Sequence, residues 1–200
     1  SQGLCFIGKV RLPDFLQQKL KPKIGEIVEI PKTFIGYQNQ NTDSSKLQLQ
    51  LESKSKKYIY TRKDGKVVGS HQGAHYFTKG QRKGLGVGGT TEPLFVIDTD
   101  VNENIIYVGL GKNHPGLYRH GLLIQLDEIH WIRPDLKINN GESLAVMSRI
   151  RYRQKLEKAT IYQTGLGLYV IFENLQSAIT EGQFVAWYIN EELLGSGVIA

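Results

Sequence analysis

From Gly25 to its end the chain is a succession of short apolar or alternating runs, each closed by Gly, Pro, Asn, Asp or a charged residue: GEIVEI (25–30), KKYIYT (56–61), KVVGS (66–70), LFVID (94–98), NIIYVG (104–109), GLLIQL (121–126), IHWI (129–132), SLAVMSRIRY (143–152), KATIYQ (158–163), LYVIFE (168–173), QFVAWYI (183–189) and LLGSGVI (193–199). An amphipathic helix needs roughly ten or more residues of 3.6-fold periodicity, and these runs are too short and too rich in Val, Ile, Tyr and Phe to supply it. They predict a mainly β protein of sandwich or barrel type. The densest series, from about Thr90 to Ala200, reads as one β-barrel. A small basic, β-rich module precedes it, from Ile7 to Gly89. Helical signal is confined to Asp14, which caps a short helix through Phe15, Leu16 and Lys19 before Pro22. The stretch from Pro31 to about Lys63 is rich in Gln, Asn, Ser and Lys and reads as a long surface insertion.

Two hundred residues suffice for one domain with an appendage or two small ones. No stretch approaches the ~18 consecutive apolar residues of a membrane helix, so no membrane partner is expected. Cys5 is the sole cysteine, which excludes an internal disulfide framework and a multi-cysteine zinc site. The opening SQGLCFIG lacks the basic-then-apolar layout of a secretory signal, and a reducing, cytoplasmic setting is the expectation. The chain begins with Ser1 rather than Met, which predicts a piece of a longer protein.

The net charge of +6 is unevenly distributed. Residues 1–88 hold 16 Lys and Arg against 6 Asp and Glu, whereas the remainder holds 9 against 13. Such asymmetry favours a polyanionic partner for the first half, although a solvated Lys-rich surface produces the same count. Within the acidic half, Arg149, Arg151, Arg153 and Lys155 fall at every second position. On a continuous strand they would form a basic stripe with charges about 7 Å apart, a spacing suited to a phosphate backbone. The outward face of an ordinary barrel strand explains the alternation equally well.

Two glycine motifs are false leads. GLGVGG (84–89) has dinucleotide-binding spacing, but it follows a polar stretch and leads through Pro93 into a strand, where that chemistry requires a helix N-terminus. Gly109 to Lys112 lacks the Ser or Thr of a phosphate loop. His71 and His75 would share a helix face as metal ligands, but glycines surround them and no metal site is expected. Cys5 is either a small buried hydrophobe or a thiolate activated by nearby cations.

SQGLCFIG (1–8), GSHQGAHYFTKGQRKGLGVGG (69–89), SRIRYRQ (148–154), EGQFVAWY (181–188) and GSGVI (195–199) together resemble the C-terminal part of the MnmA/TrmU-type tRNA-specific 2-thiouridylases. The resemblance implies three parts: an N-terminal ATP-pyrophosphatase domain, a small central domain, and a β-barrel like the second domain of translational GTPases. It implies that ATP adenylates the C2 oxygen of the wobble uridine (U34) in tRNAs for Lys, Glu and Gln. A cysteine persulfide, charged by a cysteine desulfurase or sulfur relay, then replaces that oxygen with sulfur. Residue by residue, Cys5 takes the place of the persulfide cysteine, while Arg151, Tyr152 and Gln183 match tRNA-contacting positions on the barrel. On this reading residues 1–6 end the catalytic domain. The departures are definite: the Ser-Gly-Gly-x-Asp-Ser-type loop that binds ATP is absent from these 200 residues, as is the second cysteine that would take up Cys5 in a disulfide.

Two other readings remain at this level. One is a stand-alone RNA-binding barrel module with a structural Cys5; the other is a cysteine hydrolase pairing Cys5 with His71 or His75.

Overall fold

The computed structural model describes residues 21–40 and 46–200, and the architecture is mainly β. The strands are β1 (Gly25–Glu29), β2 (Lys66–His71), β3 (Leu94–Asp100), β4 (Ile105–Leu110), β5 (Tyr118–Ile124), β6 (Ile129–Trp131), β7 (Ser143–Arg149), β8 (Glu157–Thr164), β9 (Gly167–Ser177), β10 (Phe184–Ile189) and β11 (Glu192–Val198). One α-helix, α1 (Leu47–Ser55), lies among the described residues, together with several short 3-10 turns. The described residues divide into two compact units, one formed by residues 21–34 and 60–114, the other by residues 35–40, 46–59 and 115–200.

The first unit is a four-stranded sheet of order β2-β1-β4-β3, in which only β1 and β4 are parallel. Its core consists of Ile27, Ala74, Leu85, Leu94, Val96, Ile106 and Val108. This corrects the expectation that everything after Thr90 belongs to the barrel. β3 and β4 form a hairpin whose second strand pairs with β1, so the chain passes to the second unit after His114 rather than after Gly89. The glycine-rich block is tied to the same sheet. Gly80 N–H donates to Val96 O at 2.7 Å, and Val96 N–H donates to Gln81 O at 2.9 Å. The ammonium of Lys79 meets Asp98 at 3.1 Å, with both side chains only 11% exposed. Beyond this anchor Gly86 and Gly89 take positive φ, which carries the loop out to the start of β3.

The second unit is a seven-stranded antiparallel sheet of order β5-β9-β8-β7-β10-β11-β6. It closes where Ala200, just past β11, donates its N–H to Leu123 O of β5 at 2.9 Å. Alternate residues point inward: Val146, Ser148 and Ile150; Ala159 and Ile161; Leu168, Val170 and Phe172; Val185 and Trp187. Trp187 is fully buried, and the ring of Trp131 packs edge-on against it at 5.4 Å. Burying a side chain of this size contributes on the order of 3 kcal/mol.

The insertion is not a free surface excursion. Its residues 35–40 and 46–59 belong to the second unit, where α1 lies against β5 and β9. Leu51 is buried, Gln48 Nε2 donates to the Tyr169 hydroxyl at 3.3 Å, and Arg119 caps the helix end by donating to Ser55 O at 3.2 Å. The KKYIYT run forms no strand. It returns the chain to the first unit, where Tyr60 packs against Phe34 and Tyr107. The short helix expected after Asp14 lies outside the described residues.

Two buried imidazoles in the first unit give its stability a pH dependence. His114 is fully buried, and its Nε2 donates to Ile30 O at 3.0 Å. Desolvation holds it below its ordinary value of 6.5, with Lys32 adding repulsion and the Ile30 carbonyl opposing both. His71, whose Nδ1 accepts from Gly73 N–H, is lowered mainly by burial too. The native state therefore binds fewer protons than the unfolded chain. Stability is complete above about pH 6.5 and falls as pH drops through that value, by up to about 1.4 kcal/mol per pH unit for each histidine. Urea denaturation at about pH 7.5 and 5.5 is expected to show this loss, and His114→Gln is expected to shallow it.

Candidate functional site

The matched residues on the barrel depend on where β7 stops. Its inward positions continue to Ile150, which is buried, but the strand ends at Arg149 and the chain turns through residues 151–154. Arg149, Arg151, Arg153 and Lys155 therefore do not form a strand stripe at 7 Å spacing. Gln154 sets the turn. Its Oε1 accepts from Ile150 N–H at 3.1 Å, while its Nε2 donates at 2.7 Å to Oε1 of the buried Gln176. Gln176 in turn donates to Asn174 O at 3.0 Å. Both amide ends of Gln154 are thus used inside the barrel wall, and the turn is rigidly placed.

The turn gives the two matched residues different tasks. Arg151 folds back onto the loop after β9, donating through one guanidinium nitrogen to Ser177 O at 3.2 Å and Ala178 O at 2.8 Å. Ala178 has φ +53, an uncommon conformation for a residue with a Cβ, and its N–H is held by Leu117 O at 2.7 Å. Arg151 thereby secures a strained corner while the rest of its guanidinium remains at the surface. Tyr152, in contrast, is 87% exposed. On a continuous strand the two side chains would point oppositely; the turn removes that obstacle. Gln183 lies at the other end of the same corner, where its N–H meets Thr180 O and its carbonyl accepts from Ile199 N–H at 2.8 Å. Its side-chain amide makes no hydrogen bond to the described residues.

Arg149, expected only as a member of the basic stripe, and Tyr188, which the sequence reading did not select, also belong to this surface. Arg149 donates to the Tyr188 hydroxyl at 2.9 Å and to Tyr152 O at 3.2 Å, and its guanidinium carbon stands 5.1 Å from the Tyr188 ring centroid. The available signal was register: Ala186 pairs with Arg149 and Tyr188 with Met147.

In the first unit Arg82 and Lys83 are exposed at the tip of the anchored glycine-rich loop. The segment after it runs into β3 rather than a helix, so GLGVGG provides no helix N-terminus for a pyrophosphate. Among the described residues no cluster of three His, Cys, Asp or Glu is placed to hold a metal, and no helix is long and apolar enough to cross a membrane. Cys5 lies outside the described residues.

Comparison with known proteins places a boundary between residues 110 and 122, as the structure does, but its first model takes in residues 46–59, which the structure packs in the second unit. Residues 45–110 match the tRNA methyl transferase PRC-barrel domain, and residues 122–199 match the aminomethyltransferase beta-barrel domain. Over all 200 residues the chain is 65% identical to the tRNA-specific 2-thiouridylase MnmA of Christiangramia forsetii and 60% identical to that of Flavobacterium johnsoniae. It is 36% identical over 200 residues to the corresponding protein of Bacillus subtilis. The chain spans 51% of the length of the first two relatives and 44% of the third.

Two substitutions separate structure from surface. Gln154→Ala leaves the buried Gln176 oxygen and the Ile150 N–H without partners and is expected to cost about 2 kcal/mol. Tyr152→Ala is expected to change stability by less than about 0.5 kcal/mol. Urea denaturation of both variants checks the pair.

Proposed function

Because the chain belongs to the MnmA family of tRNA-specific 2-thiouridylases, we propose that it supplies the sulfur-carrying cysteine and the tRNA grip of such an enzyme. The observation that carries the reading is the barrel turn. Arg151 fastens one corner through Ser177 O and Ala178 O, and Tyr152 projects beside it, 87% exposed, with the Arg149 guanidinium 6.0 Å from its ring centroid.

On this reading Cys5 bears a persulfide whose terminal sulfur attacks C2 of the adenylated wobble uridine and displaces AMP; a second cysteine thiol, which this chain does not hold, then breaks the S–S bond, leaving sulfur on C2 and Cys5 in a disulfide. A persulfide suits the task because its terminal sulfur is ionised and strongly nucleophilic at neutral pH. The anticodon loop is already unpaired, so presenting its base costs little. Contacts from Arg151, Gln183, Arg82 and Lys83 go to backbone and sugar and position the RNA rather than read its sequence. Activation of the uridine by ATP falls to a part of these enzymes that the chain does not span. The substrates proposed are the tRNAs for Lys, Glu and Gln, with a cysteine desulfurase or sulfur relay as donor and the cytoplasm as the setting.

Two measurements test the reading. In the intact enzyme, Cys5→Ala is expected to abolish 2-thiouridine formation while leaving uridine adenylation in place; normal thiolation would exclude Cys5 as the carrier. Arg151→Ala is expected to weaken tRNA binding and to lower the slope of log affinity against log salt by about 1. An unchanged slope would remove Arg151 from the interface.

A further inference from the structure

The loop between β9 and β10 is held from outside at nearly every residue. Arg151 donates to the carbonyls of Ser177 and Ala178, and Leu117 O takes the Ala178 N–H. Arg119, on β5, donates through one guanidinium nitrogen to Ile179 O at 3.1 Å and through the other to Ser55 O at 3.2 Å. The ammonium of Lys57 meets the Glu181 carboxylate at 3.1 Å. Gly182 N–H donates to Ile199 O at 2.9 Å, and Gln183 closes the loop. Arg151, Arg119 and Lys57 therefore converge on residues 177–181 from separate parts of the second unit.

Two of these three links come from the insertion. Ser55 is the last residue of α1 and Lys57 follows two positions later, so Arg119 and Lys57 tie the helix end to the loop. That end is closely fitted: a Cβ on Gly121 would stand 2.6 Å from Ser55 Oγ. The helix adds little to the core, since Leu51 is buried while Leu47 and Leu49 stay exposed. Its engagement with the barrel is therefore concentrated on its polar end. Arg119 is only 7% exposed, too little to meet a phosphate backbone itself. A buried guanidinium is tolerated when its donors are used, and here its charge-assisted bonds fix one carbonyl of α1 and one of the loop.

We propose that α1 and the Arg119 guanidinium brace the β9–β10 loop for tRNA, with Arg119 as a positioning residue for Gln183 and Glu181–Lys57 as a second strut of the same brace. It rests on the reading that Arg151 and Gln183 contact tRNA. A loop held in its binding form before the RNA arrives spares the complex the cost of ordering it. Arg119 reaches the RNA only through this loop, so removing it lowers affinity without changing the number of counterions released.

The test measures affinity of the intact enzyme for an unmodified tRNA transcript at several salt concentrations, with each variant made alone and combined with Gln183→Ala. Gln183→Ala and Arg119→Met are each expected to weaken binding about tenfold. Arg119→Met is expected to leave the salt slope unchanged and, in the Gln183→Ala protein, to cost no more than about twofold further. Glu181→Ala breaks a half-exposed pair that contributes little to folding, so it decides the matter if Arg119→Met does not fold. It is expected to weaken binding about threefold, whereas losing a carboxylate that acted through charge alone would strengthen it. If either variant binds as well as the parent or better while Gln183→Ala does not, the brace is overturned and the tRNA reading stands. An equal loss from Arg119→Met with and without Gln183 also overturns the brace, since the residue then acts on the fold at large. If Gln183→Ala and Arg151→Ala both bind like the parent, the reading beneath the brace falls with it.

Discussion

The second unit depends on the inward packing of alternate residues around Trp187. Val146, Ile150, Ile161, Val170, Phe172 and Val185 fill the barrel from four neighbouring strands, and a shift of one residue in any strand would exchange its buried and exposed sets. The same constraint determines the outer surface. Once Val185 and Trp187 face inward, Phe184, Ala186 and Tyr188 have no other direction to take, and the pairing of Ala186 with Arg149 delivers a guanidinium to the middle of that row. The outer surface of these strands is thus the complement of the core.

Rigidity at the corner has a comparable origin. The barrel wall ends β7 at Arg149, and the Gln154 amide closes the turn on Gln176. Arg151 then fastens the loop after β9 through Ala178. One run, SRIRYRQ, therefore contains a buried hydroxyl bonded to Ala186 O, a core residue, an anchor, an exposed ring and a turn lock. A site built this way is set before its ligand arrives, which lowers the ordering cost of binding.

Much of the β architecture was legible because alternation and turn residues are local signals. What escaped was non-local. LFVID and NIIYVG look no different from barrel strands, and only the parallel pairing of β4 with β1 assigns them to the first sheet. α1 escaped because LQLQL alternates with period two, so a helix made from it has no apolar stripe; only Leu51 is buried, while Leu47 and Leu49 stay exposed. The basic stripe was misread for the reverse reason. Its alternation was genuine, but a strand end cannot be located from side-chain type when the residue that ends it is a glutamine bonding to a partner 22 positions away.

By itself the sequence determined the β class, the family through its motifs, and the residues proposed for the site: Arg151, Tyr152, Gln183 and the single thiol of Cys5. Tertiary structure decided which strands share a sheet, where β7 stops, and hence that Arg151 is turned into a corner while Tyr152 stands exposed beside Arg149. It also decided that Phe184, Tyr188 and Arg149, far apart in the chain, lie on one face. The physical reason is that side-chain type and local periodicity are written in neighbouring residues, whereas register and closure are set by long-range hydrogen bonds and by the volume of a shared core.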